Sequence, residues 1–144
     1  VVQCRKAISN LSNESKANLL RDHKDGKISL KTEYVSLLQD ENFNVFYNAP
    51  CLIYIAGAQS VGSLDVDVAL EAGYIMFSAA DRGMGTCWVA LGANILDPRL
   101  RAELGLDDNY RIVAPIILGY PRNIPATPER HAPQIHRVIT AERR

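Results

Sequence analysis

Residues 64–83 carry apolar side chains at most angular positions of a helix. At about 100° per residue, the polar side chains fall within one narrow sector, and apolar side chains cover most of the remaining surface. The polar sector contains Asp67, Glu71, Ser78, Asp81 and Arg82, with Tyr74 beside them. A helix with so narrow a polar face has to pack on several sides, so we expect the core and a second subunit to cover it.

Short-range signals mark both ends of this helix. Asp65 and Asp67 are placed where carboxylates favour a helix amino terminus, and Asp65 is the candidate capping residue. Gly83 suits the left-handed conformation in which many helices end, because it has no Cβ. The chain then enters a strip marked by glycines, Gly85-Thr86-Cys87-Trp88-Val89-Ala90-Leu91-Gly92. We expect the chemistry of the protein at this exit from the helix.

Three further helices are predicted by the spacing of apolar residues and by capping signals. A helical spacing of apolar and small residues extends over residues 4–20, and residues 32–39 predict a short second helix. Asp97 and Pro98 predict the start of another helix, with Asp97 as the cap and Pro98 in the first helical position. Gly105 would end that helix.

Two continuous apolar runs, residues 51–56 and 112–118, are typical of buried strands. Pro115 has no amide hydrogen to donate, so the second strand should lie at a sheet edge or be interrupted there. Residues 122–144 are rich in proline and arginine without helical periodicity, and we expect an extended arm that reaches across a partner. With no internal repeat and no long linker, residues 1–144 should form a single domain.

Composition narrows the class of protein. The 16 basic side chains balance 16 acidic ones, and no basic run indicates nucleic acid as a partner. No apolar run approaches the roughly 20 residues that a membrane-spanning helix needs. The cysteines, Cys4, Cys51 and Cys87, include no CxxC pair, and with scattered histidines they favour neither a disulfide scaffold nor a metal site. We therefore expect a reduced, soluble, cytoplasmic protein without a bound metal.

The glycines at Gly83 and Gly85 do not form a dinucleotide-binding fingerprint. In that fingerprint the glycines follow a strand and open a helix, so that a pyrophosphate meets the start of the helix. Here they follow a helix and open an extended segment, and Trp88 occupies the position of the third glycine.

The order of these features resembles the flavin-dependent nitroreductase family, from about residue 46 to residue 139. The matching features are Asn48-Ala49-Pro50 before a strand, the helix of residues 67–80, Gly83-Met84-Gly85-Thr86-Cys87-Trp88, Leu118-Gly119-Tyr120-Pro121, and Arg130 near a proline. The resemblance implies an α+β fold, a mostly antiparallel sheet flanked by helices. It also implies a homodimer in which the long central helix is buried against its equivalent.

The same resemblance implies an FMN site at the glycine-marked strip. The cofactor-binding candidates are Gly85, Trp88, Val89, Ala90, Leu91 and Arg130. Small or apolar residues with free backbone N–H groups can approach a flat heterocycle, and a donor near flavin N5 would favour the reduced ring. Arg130 would meet the phosphate, whose charge suits a guanidinium group. Cys87 is expected to pack beside the ring without a redox role.

Two departures from the family pattern bear on phosphate binding. The family usually opens with a helix start rich in arginine and serine that grips the phosphate, and nothing similar precedes Cys4. The family also tends to have a basic residue two positions before the one matched by Arg130, where this chain has Pro128. These departures leave two interpretations, a chain without its usual front, or a shortened relative that holds flavin weakly or not at all.

The function we predict is an FMN-dependent oxidoreductase. Hydride from NAD(P)H would reach flavin N5 and then an electron-poor acceptor such as a nitroaromatic compound or a quinone. Because the redox chemistry belongs to the cofactor, no acid, base or nucleophile is assigned. The alternative is a non-catalytic module of the same fold, with or without flavin, that serves as a sensor or in interactions. A flavin enzyme of another reaction type, such as reductive dehalogenation or ring cleavage, would share the same site.

Overall fold

The computed structural model describes residues 1–124 and 126–138. Its elements follow in the order α1 (Arg5–Lys24), α2 (Thr32–Gln39), β1 (Cys51–Ala58), α3 (Leu64–Asp81), β2 (Gly85–Trp88), a 3₁₀ turn (Ala90–Gly92), α4 (Pro98–Glu103) and β3 (Tyr110–Gly119). Each helix and both apolar strands predicted from the sequence are present. The glycine-marked strip becomes the short strand β2 and the 3₁₀ turn that follows it.

The three strands form one antiparallel sheet in the order β1-β3-β2. Strand β3 is the longest strand and pairs along one side with β1, from Cys51 opposite Leu118 to Ala58 opposite Tyr110. Its other side pairs with β2, from Gly85 opposite Gly119 to Trp88 opposite Ile116. Among the described residues no strand pairs with the outer side of β2, so the first half of the glycine-marked strip forms an open sheet edge.

Pro115 lies in the central strand, so of the two predicted alternatives, a sheet edge or an interruption at this residue, the sheet edge is wrong. Its carbonyl accepts a hydrogen bond from the N–H of Val89, with 2.8 Å between N and O. Because the nitrogen and oxygen of one residue face the same side in an antiparallel pair, the proline nitrogen also faces Val89. Strand β2 ends at Trp88, directly before that position. The predicted interruption is therefore present, on the β2 side of β3.

The ends of α3 confirm one local prediction and correct another. Ser63, rather than Asp65, is the residue that precedes the helix, and the carboxylate of Asp65 instead pairs with Arg111 at 2.8 Å. At the other end Gly83 has a φ of 69°, the left-handed conformation predicted for it. The N–H of Met84 donates to the carbonyl of Ala79 at 3.0 Å, which closes the last turn.

The capping signals of α4 are also confirmed. A carboxylate oxygen of Asp97 accepts hydrogen bonds from the N–H groups of Arg99 at 2.8 Å and Leu100 at 3.1 Å. Pro98 is the first residue of the helix, and Gly105 beyond its end has a φ of 69°. These short-range bonds fix the segment that follows the 3₁₀ turn.

The sheet has a different helical layer on each face. Helices α1 and α2 cover one face, where the core includes Ile8, Leu11, Leu38, Phe46, Leu52 and Ile112. Helix α3 covers the other face, where Leu64, Val68 and Ala72 pack against Ile55, Ala114 and Ile116. Residues 52 and 55 of β1 face opposite layers because side chains alternate along a strand.

One face of α3 is open in the single chain. Its exposed apolar side chains are Val66, Leu70, Tyr74 and Phe77, with exposed fractions between 61% and 78%. These residues recur at helical spacing, so they form one stripe on the side away from the sheet. The predicted dimer, with α3 buried against its equivalent, stays a prediction, and this stripe is the surface that it would cover.

The C-terminal segment has neither helix nor strand within residues 120–124 and 126–138, most of which are exposed. Of the predicted arm, residues 125 and 139–144 lie outside the described residues. Among the helices of the described parts, none combines the length and the apolar character needed to cross a bilayer.

Candidate functional site

The glycine-marked strip forms one wall of a surface cavity of about 470 Å³. Cys87, Trp88, Val89, Ala90 and Leu91 line this wall. The volume falls within the range of roughly 300–1,000 Å³ that is typical of small-molecule sites. The side chain of Val89 turns into the core and is only 6% exposed, whereas Trp88 and Ala90 remain accessible. The strip is therefore anchored by one residue and open at its neighbours.

The backbone donors of the strip divide into paired and unpaired groups. The N–H of Val89 is used by the carbonyl of Pro115. Because N–H directions alternate along an antiparallel strand, the N–H of Trp88 points away from β3, toward the open edge. Within the part of the chain that the structure describes, the N–H groups of Ala90 and Leu91 have no hydrogen-bond acceptor. The unpaired amides of Trp88, Ala90 and Leu91 are thus the donors available to a ligand.

Two hydrogen bonds and one close packing contact hold the 3₁₀ turn against the core. The hydroxyl of Ser15 on α1 donates to the carbonyl of Leu91, and the hydroxyl of Tyr54 on β1 donates to the carbonyl of Gly92 at 3.1 Å. Burial raises the pKa of the Tyr54 phenol, so this group remains a donor across the physiological pH range. The ring of Phe46 lies so close to Gly92 that an added Cβ would sit 2.2 Å from a ring carbon.

The opposite wall comes from residues distant in sequence. Ser29, Leu30 and Lys31 line it before α2, Tyr34 lines it from the first turn of α2, and Tyr47 lines it from the following loop. Tyr47 has a φ of 52°, and its ring stands edge-to-face with that of Phe43 at 5.9 Å between centroids. The cavity is therefore bounded by aromatic rings on both sides, Trp88 on one and the two tyrosines on the other.

Buried polar groups hold this opposite wall in place. Lys16 is only 7% exposed. Its ammonium donates to the carbonyls of Asp40 at 2.6 Å and Phe43 at 2.9 Å. The Nδ1 of His23 accepts a hydrogen bond from the N–H of Leu30 at 3.3 Å. Both contacts attach loops on either side of α2 to α1. They position the loops that carry the cavity residues.

The charge of the cavity comes from one residue. Lys31 is the cation among the lining residues, and the lining residues include no carboxylate. Among the described residues, no cluster of His, Cys, Asp and Glu is suited to a metal ion. An electron-poor or anionic ring that accepts hydrogen bonds from backbone amides fits this mixture of aromatic walls, amide donors and one positive charge.

The structure brings together four of the six predicted cofactor residues. Trp88, Val89, Ala90 and Leu91 are adjacent on the cavity wall. Gly85 lies at the far end of β2, opposite Gly119, where its Cα faces the ring of Pro121. Arg130 is exposed in the C-terminal segment and is not among the residues that line the cavity. The cofactor-binding roles of all six residues stay predictions.

The sequence analysis did not identify Tyr34, Tyr47 or Lys31. Their positions depend on how α2 and its loops pack against a strip that begins 38 residues after Tyr47. For Tyr47 the aromatic-rich run of residues 43–47 is a signal, because small-molecule sites are lined mainly by apolar and aromatic side chains. Tyr34 and Lys31 lie outside that run.

Comparison with protein families decides the relationship. The model of the nitroreductase family matches residues 4–120. The chain belongs to the nitroreductase family. The match begins earlier than the resemblance at residue 46, so α1, α2 and the opposite wall of the cavity belong to the family domain. Arg130 lies beyond the matched residues.

Solved structures show the same fold. The nitroreductase of Bacteroides fragilis NCTC 9343 with bound FMN has a TM-score of 0.76 and 19% identity, over 97% of this chain and 73% of that chain. The FMN-dependent nitroreductase of Clostridium difficile R20291 has a TM-score of 0.69 and 18% identity, over 95% of this chain and 76% of that chain. Iodotyrosine deiodinase bound to FMN and 3-iodo-L-tyrosine has a TM-score of 0.57 and 18% identity, over 96% of this chain and 74% of that chain.

At these identities the comparisons establish the fold of this nitroreductase-family chain, the α+β arrangement of helices around an antiparallel sheet. A search of the curated proteins gives no match.

Proposed function

We propose that this chain is an FMN-dependent oxidoreductase that carries hydride from NAD(P)H to an electron-poor acceptor such as a nitroaromatic compound or a quinone. The observation that carries the proposal is the cavity beside residues 87–91, where unpaired backbone amides face a space bounded by aromatic rings. Membership of the nitroreductase family supports FMN as the occupant.

The residues of this cavity fit a flavin ring. The amides of Trp88, Ala90 and Leu91 would donate to the polar atoms of its edge, and the amide of Val89 would not, because Pro115 uses it. Amide donors at the polar edge of the ring would favour its reduced form, because the reduced anion carries its negative charge at N1 and the C2 carbonyl oxygen. Bound FMN would supply the two-electron chemistry.

The other residues would bind, orient and exclude water. Tyr34 and Tyr47 on the opposite wall would stack against an aromatic acceptor and limit the access of water to the ring. Lys31 would attract the phosphate of the cofactor or an anionic acceptor, and Arg130 would add a second cation if the C-terminal segment folds over the site.

The stripe of Val66, Leu70, Tyr74 and Phe77 supports a homodimer as part of this proposal. Four large apolar side chains in one row are unusual on a surface that meets only water. A second copy of α3 would present the same stripe, and a two-fold dimer would cover both at once.

The alternative function, a module of the same fold without catalysis, is supported by the position of Arg130 away from the cavity. With Lys31 as the cation of the lining, phosphate binding would be weak.

A flavin titration tests the proposal. Trp88 is the single tryptophan of the chain and lines the cavity, so added FMN should quench its fluorescence with saturation. The complex should show flavin absorption bands that NADH or NADPH bleaches without oxygen, and a nitroaromatic acceptor should restore them. Absence of saturable quenching would refute the FMN site. Saturable quenching without bleaching by either nucleotide would favour the non-catalytic module.

Arg130→Ala, measured in the same titration, tests its predicted phosphate contact. Loss of one charge-assisted hydrogen bond should weaken FMN binding by roughly tenfold or more. Arg122→Ala, in the same C-terminal segment, is the matched control. An unchanged affinity in Arg130→Ala would remove Arg130 from the site and leave the proposal for residues 87–91 intact.

A further inference from the structure

We propose that Ser15 and Tyr54 are positioning residues that orient the amides of Ala90 and Leu91 toward the cavity. Neither residue lines the cavity, and each acts through a hydrogen bond to the carbonyl side of the 3₁₀ turn. The inference rests on the proposed function, because the direction of these two amides matters only if they donate to bound FMN.

Ser15 reaches the turn from α1. Ser15 is fully buried, and its hydroxyl donates to the carbonyl of Leu91. A serine inside a helix usually bonds the backbone of its own preceding turn. Here the hydroxyl bonds a residue 76 positions later in the chain. The bond therefore fixes the turn against α1 rather than adjusting α1 itself.

Tyr54 reaches the turn from β1. Its hydroxyl donates to the carbonyl of Gly92 at 3.1 Å, and its ring stands edge-to-face with Phe46 at 6.3 Å between centroids. Phe46 in turn closes against Gly92, so the phenol has little freedom to leave this carbonyl. The two bonds hold consecutive residues of the turn from two different elements.

The direction of the amides follows from these two bonds. In a 3₁₀ turn the carbonyls point toward one end and the N–H groups toward the other. The N–H of Gly92 closes the turn on the carbonyl of Val89 at 2.9 Å. With the carbonyls of Leu91 and Gly92 held on the core side, the N–H groups of Ala90 and Leu91 face the opposite side, where the cavity lies. Releasing either carbonyl would allow the turn to rotate and the amides to leave the ligand.

Two substitutions and a matched control separate positioning from general stability. Ser15→Ala and Tyr54→Phe each remove one hydroxyl without adding bulk. Ser12→Ala is the control, because Ser12 is equally buried on α1 and also bonds a distant backbone group, the N–H of Val45 at 3.0 Å. All three variants lose one buried hydrogen bond, so similar losses of thermal stability are expected.

The first readout is FMN affinity measured by quenching of Trp88 fluorescence. Ser15→Ala should weaken binding by about tenfold, which corresponds to about 1.4 kcal/mol. Tyr54→Phe should weaken it by a similar factor, and Ser12→Ala should leave it within about twofold of the original chain. Ser15→Thr keeps a hydroxyl and should restore affinity relative to Ser15→Ala.

The second readout is the backbone amide signal of ¹⁵N-labelled alanine and leucine, which does not depend on catalysis. Without FMN, Ser15→Ala and Tyr54→Phe should move the signals of Ala90 and Leu91, and Ser12→Ala should leave them in place. With FMN, those two signals should shift in the original chain and shift less in the two variants.

The reduction potential of bound FMN should fall in the same two variants, because a misplaced donor stabilises the reduced ring less.

The outcomes separate this inference from the proposed function. If the original chain binds FMN and both variants bind it equally well with unchanged Ala90 and Leu91 signals, the positioning roles are refuted and the function stands. If the original chain shows no saturable FMN binding, the proposed function and the inference both fall. If Ser12→Ala weakens binding as much as Ser15→Ala, the effect is general stability, and the inference is refuted.

Discussion

Replacing Gly92 by alanine tests whether the turn beneath the cavity is packed as closely as the structure shows. A Cβ at this position would lie 2.2, 2.7 and 3.3 Å from three carbons of the Phe46 ring. Phe46 is fully buried and is held edge-to-face against Tyr54, so it cannot simply swing away. Gly92 does not have a positive φ, so the substitution changes packing rather than forcing a disfavoured backbone conformation.

The size of the effect follows from these distances. Ordinary van der Waals contact begins near 3.4 Å, so a Cβ at 2.2 Å requires a displacement of about 1.2 Å within a closed core. Overpacking of this kind typically costs about 1–3 kcal/mol. Alanine recovers about 0.4–1 kcal/mol by making the unfolded chain less flexible. We expect Gly92→Ala to lower the free energy of unfolding by about 1.5 kcal/mol.

Urea denaturation followed by far-ultraviolet circular dichroism measures this change. Gly62→Ala is the matched control, because a Cβ there would meet nothing within 4 Å, and the variant should be as stable as the original chain or slightly more stable. Phe46→Leu combined with Gly92→Ala should lose less stability than the sum of the two single variants, because the smaller side chain makes room. Strict additivity, or a Gly92→Ala variant as stable as Gly62→Ala, would refute the packing argument.

Three other predictions concern different parts of the fold. Burial raises the pKa of Tyr54 above that of an unfolded tyrosine. The contribution of the neutral phenol to the free energy of unfolding is therefore complete below pH ~10 and is lost as the pH rises further. Tyr54→Phe should therefore flatten the alkaline fall in unfolding free energy, measured by urea denaturation. Asp97→Ala should destabilise the chain by about 1 kcal/mol in the same assay, and exposed Glu103→Ala should not. Phe77→Asp should convert a dimer into a folded monomer in sedimentation experiments; a monomeric original chain would contradict the dimer.

Local signals in the sequence were sufficient for the elements that local contacts determine. At the end of α3 the N–H of Gly83 donates to the carbonyl of Ala80 and the N–H of Met84 donates to that of Ala79. Asp97 caps α4 by accepting from the two residues that follow Pro98. The glycine-marked strip of residues 85–92 is also visible in the sequence, because its apolar residues and its bounding glycines are contiguous in the chain.

Long-range packing explains what the sequence could not supply. Asp65 is a residue type that often caps helices, but its carboxylate forms an ion pair with the guanidinium of Arg111 on β3. Tyr34 carries no local signal of function, and the aromatic run around Tyr47 does not show what it packs against. The packing of α1 and α2 beside the strip makes both tyrosines part of a cavity wall. Of the two alternatives predicted at Pro115, an interruption is present and the sheet edge is wrong. Strand order depends on which strands meet, and periodicity does not encode that order.

Pro115 connects the strand order to the shape of the site. Any other residue at this position would carry an N–H directed at Val89, and the carbonyl of Val89 would be its natural acceptor in the ladder. With proline there, that carbonyl is free, and it accepts the N–H of Gly92 at 2.9 Å instead. This bond closes the 3₁₀ turn and ends β2 at Trp88. A missing donor in the central strand therefore produces the turn whose amides of Ala90 and Leu91 are left without partners in the described chain.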